Sequence, residues 1–264
     1  MDYMAFVLFG RGEALAHAEA ANDEVFADVA LHLQDLVLDS ADVDEFLRDL
    51  AGYAAARLSS QDREVFCGVA VERHKKATAI AGSDPCIRTL DQLQDKYGYG
   101  PGITAMRTTD TVLVPDVSQE KRWPAYASAL SRQGLFSAVS VPLVLGEDIR
   151  GALSLYCRRL QAFSSEDIAT ARAFSGQVSK SLRLALRIGR LQDTRDSMSA
   201  AMKSRTVIDL ATGAIMAQSH CSQHQAFSVL LQASNTRNMK LKDVAATVVA
   251  SIPGSSGIST YFDE

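Results

Sequence analysis

SRTVIDLATGAIMAQSHCSQHQAFSVLLQASNTRNMKLKDVAATVVASI, from Ser204 to Ile252, is the stretch that decides how the chain is read. It holds three short apolar stripes. Ile208, Ala211, Ile215 and Met216 recur at helical spacing and predict a helix over about Arg205 to Gln218. Ser222, followed three residues later by Gln225, is a capping-box signature that opens a second helix, with Phe227, Leu230, Leu231 and Ala233 expected on its core face. Leu241, Val244, Ala245, Val248, Val249 and Ile252 form the stripe of a third helix, which Pro253 and Gly254 stop. Helices this short do not stand alone in water, so the three must pack on one another.

The string Arg205-x-x-Ile208-x-x-Ala211-Thr212-Gly213-x-Ile215-Met216, then Ala226-Phe227-x-x-Leu230 and Ala233-Ser234-Asn235-x-Arg237-Asn238-x-Lys240-Leu241-x-Asp243-Val244-Ala245, resembles the ANTAR family. That family consists of three-helix RNA-binding modules acting in transcription antitermination. The resemblance covers the module in order and without gaps. Many members carry Ala-Lys-Gly where this chain has Ala211-Thr212-Gly213. The resemblance implies a target of RNA with two small stem-loops. On it, Lys203, Arg205, Arg237, Lys240 and Lys242 are the expected phosphate contacts, and Gln218, Ser234, Asn235 and Asn238 offer hydrogen bonds to exposed bases, with Thr212 standing at the family's lysine position. Asn238 is equally readable as a left-handed helix C-cap. Phe227, the one aromatic in the module, is expected in its core, and Asp243 is expected to start the third helix.

Charge distribution agrees with a nucleic-acid tail on an acidic body. From Arg195 to Ile252 six basic residues face three acids, a local charge of +3 that leaves −7 on the rest of a chain whose total is −4. The 264 residues allow one or two domains, and 47% hydrophobic with 22% charged content is that of a globular protein with a real core. The four cysteines, Cys67, Cys86, Cys157 and Cys221, form no C-x-x-C pair; buried thiols in a reducing compartment are expected. The apolar run Met4 to Phe9 is too short for a secretion signal or a membrane span, so a cytoplasmic location without membrane contact is expected.

Residues 1–22 read as a leader. A helix over about Asp23 to Leu38 turns Val25, Val29, Leu33, Leu36 and Val37 inward, and Asp42 with Glu45 opens another, carrying Val43, Phe46, Leu47, Leu50, Ala54 and Leu58. The period then changes. Glu64 to Glu72 and Ala77 to Ala81 are strands, Cys86 to Tyr97 a helix, Gly98 to Gly102 a flexible loop, Thr111 to Pro115 a strand and Trp123 to Gln133 a helix. Ser137 to Leu145 and Ile149 to Tyr156 form a hairpin across Gly146-Glu147-Asp148, and Ser164 with Asp167 caps a final helix. The glycine loop lacks a Gly-Lys-Ser/Thr sequence, so it reads as a structural turn before a phosphate loop. His74, beside Lys75 and Lys76, reads as solvent-facing and not as a metal or haem ligand.

This order also resembles a GAF domain: Leu90-x-x-Leu93-x-x-x-x-Gly98-x-Gly100-Pro101-Gly102, Val112 to Asp116, Arg122-Trp123-Pro124, Ser140 to Leu143, Gly151 to Tyr156 and Phe163-Ser164. The resemblance covers about Val43 to Leu186 and points to the actinobacterial GAF–ANTAR antiterminators. It implies a small-molecule sensor with a central antiparallel sheet, helices on one face and a ligand pocket on the other. Many members carry Cys where this chain has Gly102, so thiol chemistry there is absent. Met106, Trp123, Tyr126 and Phe136 are either pocket-lining or plain core.

From Ser181, the residues Leu184, Ile188, Leu191, Arg195, Met198 and Met202 recur at alternating four- and three-residue spacing, which is heptad spacing. Either this seam pairs with a second chain as a parallel coiled coil, or the helix lies on its own sensor domain.

The resulting expectation is an α+β chain. Residues 1–22 form a leader, 23–180 a GAF-like antiparallel sheet with flanking helices, 181–203 a long coiled-coil connector, 204–252 a C-terminal three-helix ANTAR bundle and 253–264 a tail. Its expected function is antitermination by a homodimer on double stem-loop RNA, with a small-molecule ligand for the sensor. No cofactor, metal site or catalytic residue is expected. Two alternatives stand beside it: a sensor whose helical tail mediates protein–protein signalling, and a DNA-binding tail. Catalysis lacks a supporting Ser/His/Asp or paired-carboxylate constellation.

Overall fold

The computed structural model describes residues 27–73 and 78–251. The leader, Val25, His74 to Lys76, Ile252 and residues 253–264, on which several of the expectations above fall, lie outside the described residues. The chain divides into two compact units, the first ending at Gly189 and the second beginning at Arg190.

In the first unit, helix α1 covers 27–39 and α2 covers Val43–Leu58. Asp42 caps α2, its Oδ1 accepting the Glu45 N–H at 2.8 Å, and the Glu45 carboxylate accepts the Ala41 N–H in return. Strands β1 (Val65–Arg73), β2 (Ala79–Gly82), β3 (Val112–Val114), β4 (Ser137–Val144) and β5 (Ile149–Cys157) form one five-stranded sheet in the order β2-β1-β5-β4-β3. Every neighbouring pair is antiparallel. The β4–β5 pair is the hairpin expected from the sequence.

Helices flank the sheet as expected, and they cover both of its faces. Alternation along each strand sends one set of side chains to each face. Val65, Cys67, Val69, Val139, Val141, Leu153 and Leu155 pack under α1, α2 and the first part of α6, through Leu33, Phe46, Leu50, Phe174, Val178 and Leu182. Ala138, Ala152 and Tyr156 face the other way, beneath α3 (Pro85–Tyr97), α4 (Pro101–Thr108) and α5 (Pro124–Arg132). Helix α4 is an element that the sequence reading did not anticipate. It is short and starts inside the glycine-rich stretch, where Pro101 supplies a favourable first helical position.

Helix α6 runs unbroken over Ser165–Ser219. Its start is a reciprocal cap: the Ser164 N–H donates to Asp167 Oδ2 at 2.8 Å, and the Asp167 N–H donates to Ser164 Oγ at 3.2 Å. Asp167 also pairs with Arg63 at 2.7 Å, and that guanidinium holds its carboxyl well below the usual carboxylate range.

In the second unit, α6 is followed by α7 (Gln223–Arg237) and α8 (Leu241–Ala250). The Ser222–Gln225 capping box forms as the sequence predicts. The core is small: Ala211, Leu230, Val244 and Ala245 are buried, with Val207, Ile208, Ile215, Ala233, Leu241, Val248 and Val249 packed around them. Phe227 and Leu231 are corrections, at 41% and 45% exposed. The seam of α7 consists of Ala226, Leu230 and Ala233, at spacings of four and three. The end of α6 and the two short helices after it share only a narrow strip, so small residues at the right angle displace large ones beside it.

Candidate nucleic-acid interface and sensor core

In the second unit the candidate RNA residues occupy the outside of the bundle. Lys203 and Arg205 are exposed on α6, and Arg237, Lys240 and Lys242 are exposed at the α7–α8 junction. The junction has a defined geometry. Asn238 ends α7 with φ 50° and ψ 41°, the left-handed cap conformation. Its N–H bonds the carbonyl of Asn235 at 3.3 Å, the Met239 N–H bonds that of Ser234 at 3.1 Å, and Ser234 Oγ donates to the Met239 carbonyl at 2.6 Å. Lys240 is then the N-cap residue of α8, without a side-chain cap bond, and Asp243 sits in the first turn of that helix. The turn therefore fixes the backbone from which Arg237, Lys240 and Lys242 project, in a region where only Asp243 carries negative charge.

The other candidates divide. Asn235 and Gln218 are exposed and available. The Ser234 hydroxyl is committed to the turn. Thr212 is buried and its Oγ1 donates to the Ile208 carbonyl at 2.7 Å, so it offers no contact in place of the family's lysine. Arg205 reaches Asp209 only at 3.7 Å, with both side chains mostly in solvent, so little electrostatic energy holds it there. Phe227, exposed on α7, is the surface aromatic that the sequence reading placed in the core.

The face of the sheet beneath α3, α4 and α5 is built around a buried polar cluster. Ile87, Leu90, Asp91 and Gln94 form the buried side of α3. Asp91 Oδ1 accepts from Tyr156 OH at 2.6 Å and from Gln94 Nε2 at 2.8 Å. Since the Tyr156 proton goes to Asp91, Tyr126 OH donates to Tyr156 OH across 3.0 Å. Gln94 Nε2 also reaches Tyr126 OH at 3.1 Å, and Gln94 Oε1 accepts the Gly102 N–H at 2.8 Å. Next to this chain, Ser140 Oγ and Ser154 Oγ are 2.7 Å apart, bridging β4 and β5.

The glycine-rich loop exists to close this cluster. Gly100 adopts φ 146°, and a Cβ there would lie 2.3 Å from Gln94 Oε1. Gly68 on β1 lies under Asp91, where a Cβ would overlap the carboxylate. Burial pushes the Asp91 carboxyl up to about 6, against the opposing effect of its bonds from Tyr156 and Gln94. Burial, and then the Asp91 charge, raise Tyr126 and Tyr156 well above the usual phenol range.

Met106, Trp123 and Tyr126, chosen from the sequence as pocket candidates, are all buried in this cluster's apolar surround. Phe136 is not with them; it is partly exposed after Leu135. Asp91, Gln94 and Tyr156 were missed. The signal was present in α3, where two polar residues share the buried side of the helix with Ile87 and Leu90. No described helix is long and apolar enough to cross a membrane, and the described residues hold no cluster of three or more metal-ligating side chains.

Comparison with known proteins follows the same division. A GAF domain model matches residues 40–183 and an ANTAR domain model matches residues 196–249. No curated protein matches the chain. Among solved structures, the chain is similar to the N-acylhomoserine lactone-dependent LuxR family transcription factor CepR2 of Burkholderia cenocepacia. That match has 18% identity over 62% of this chain and 97% of the other, with a TM-score of 0.47. It is also similar to the type II free methionine-R-sulfoxide reductase of Thermoplasma acidophilum, at 21% identity over 53% of this chain and 94% of the other, with a TM-score of 0.41. A third is the GAF domain of an Acinetobacter phosphoenolpyruvate-protein phosphotransferase, at 14% identity over 62% and 96%, with a TM-score of 0.44. The GAF match alone spans more than half of the sequence, and with the ANTAR match behind it the chain belongs to the GAF domain family, in the form that carries a C-terminal ANTAR domain.

Proposed function

We propose that this protein is an RNA-binding transcription antitermination regulator that acts as a homodimer, each ANTAR module taking one hairpin of a double stem-loop in nascent RNA. The ANTAR match over 196–249 carries this reading. The exposed cations Arg205, Arg237, Lys240 and Lys242 support it, since RNA loops are held through backbone phosphates and read at unpaired bases. Bound in this way, the RNA holds the antiterminator fold and the terminator hairpin does not form.

Pairing is supported by what α6 leaves uncovered. Leu191 and Met198 are each 63% exposed, and Met202 and Leu210 are exposed on the same helix. A parallel partner helix buries this seam and makes the second hairpin contact intramolecular.

The test is the affinity for a fluorescent stem-loop RNA as a function of salt. The wild type binds it in preference to duplex DNA, with a slope of about 0.7–0.9 per phosphate contact. Arg205→Ala/Lys240→Ala lowers affinity and removes about two contacts' worth of that slope. Equal affinity for both nucleic acids, or a salt-independent affinity, contradicts the reading. Phe227→Ala gives a separate signal. The side chain is exposed, so its loss leaves the helical content unchanged while RNA affinity drops roughly tenfold to a hundredfold, the worth of one base stack. An unchanged affinity takes Phe227 out of the interface.

A further inference from the structure

We propose that the outer side of α6 alongside the sensor sheet, formed by Arg172, Lys180, Arg183 and Arg187, binds the sugar–phosphate backbone of the transcript outside its stem-loops. The inference rests on the RNA reading above and extends it to a surface that the ANTAR match does not include.

Between Asp167 and Asp193, α6 carries five cations (Arg172, Lys180, Arg183, Arg187 and Arg190) and no acid. At 100° per residue, Lys180, Arg183, Arg187 and Arg190 fall within an arc of about 80°. That arc lies opposite Phe174, Val178, Leu182 and Ala185, which pack on the sheet. The cations are therefore held outward by the burial of the other side of the same helix. All are exposed, and Lys180, Arg183 and Arg187 have no side-chain partner among the described residues. Arg172 Nε donates to Thr111 Oγ1 at 2.7 Å, which fixes its guanidinium at one end of the row. There it borders a groove of about 520 Å³ that also contains Thr109, Ser179, Lys180 and Arg183, with Asp110 as its one acid.

The row selects its ligand by shape as well as charge. From Arg172 to Arg187 it extends about 23 Å along the helix axis. A compact anion meets one or two of these groups, whereas a polyanion meets all of them. Guanidinium groups pair with phosphate through two parallel hydrogen bonds, which makes arginine the fitting residue for a backbone contact. No aromatic residue occupies this arc, so the contact is indifferent to base sequence. The row is centred about 90° around the helix from Leu184, Ile188 and Leu191: Arg172 and Arg183 stay clear of a coiled-coil partner on that seam, while Lys180 and Arg187 flank it with their charged ends in solvent.

The experiment compares two RNAs with the full chain: a two-hairpin RNA with single-stranded flanks, and the same RNA trimmed of its flanks. Lys180→Gln/Arg183→Gln/Arg187→Gln lowers the slope of log affinity against log salt by about 2 on the flanked RNA, roughly 0.7 per lost single-strand contact, and leaves the trimmed RNA unaffected. The charge-preserving Arg183→Lys/Arg187→Lys variant keeps the wild-type slope. An unchanged slope in the triple variant overturns this inference alone, while the ANTAR reading stands. A slope lost equally in the lysine variant assigns the effect to helix packing and also overturns it. If the wild type binds neither RNA, the RNA reading fails first and this inference fails with it.

Discussion

Asp91→Asn removes most of the pH dependence of the sensor unit's stability between pH 4 and pH 7. In the folded chain the Asp91 carboxyl is pushed up to about 6, from an ordinary value of 3.8. A raised acid favours the folded state while it is protonated. That contribution is fully present below about pH 4 and is lost as pH rises through 6. The shift is about two units, or about 3 kcal/mol across the window. The asparagine oxygen still accepts from Tyr156 and Gln94, and no charge is desolvated. Urea unfolding followed by Trp123, the only tryptophan, reports on the first unit. The difference in unfolding free energy, variant minus wild type, rises by about 3 kcal/mol from pH 4 to pH 7. Asp167 titrates in the opposite sense, since Arg63 lowers its carboxyl, but it is common to both proteins and cancels in the difference. A difference that stays flat places a neutralising group beside Asp91.

Leu191→Glu/Met198→Glu separates the copies. In a parallel pair each glutamate faces its own counterpart, and like charges in a seam repel. Sedimentation gives a species of 28.5 kDa in place of a dimer. Affinity for a two-hairpin RNA falls by roughly 10²–10⁴, the factor that tethering supplies. Affinity for one hairpin does not change, because neither residue belongs to the RNA-contacting set. A variant that remains dimeric moves the pairing surface elsewhere.

The parts of the fold legible in the sequence were those governed by local rules. The Ser222–Gln225 box, the Asp42 cap, the β4–β5 hairpin and the stripe of α8 each follow from spacing and end chemistry within a few residues. The α+β class followed from the change of period at Glu64. The parts that stayed hidden were set by what an element packs against. Helix α4 is short and begins with Pro101-Gly102, a pair that reads as loop until the sheet gives its Ala105 and Met106 somewhere to pack. Phe227 reads as core because it shares helical spacing with Leu230, Leu231 and Ala233, whereas the angle around α7 is set by Ala226, Leu230 and Ala233. Nothing local marks Asp91 and Gln94 as buried, and only Tyr126 and Tyr156, from distant elements, make their burial tolerable. In the same way, Thr212 looked like a substituted contact, and the packing of α6 against its neighbours turns it inward. The basic row on α6 stayed hidden because it lies within a remainder of the chain whose net charge is −7, where the acids of other elements outweigh it.

The most direct test of the central claim is a titration of the wild-type chain with two RNAs, one carrying two hairpins and one carrying a single hairpin, at equal salt. Paired ANTAR modules predict binding to the two-hairpin RNA that is at least a hundredfold tighter, with one dimer per RNA. Equal affinity for the two RNAs, or one chain per hairpin with no gain from joining them, contradicts it.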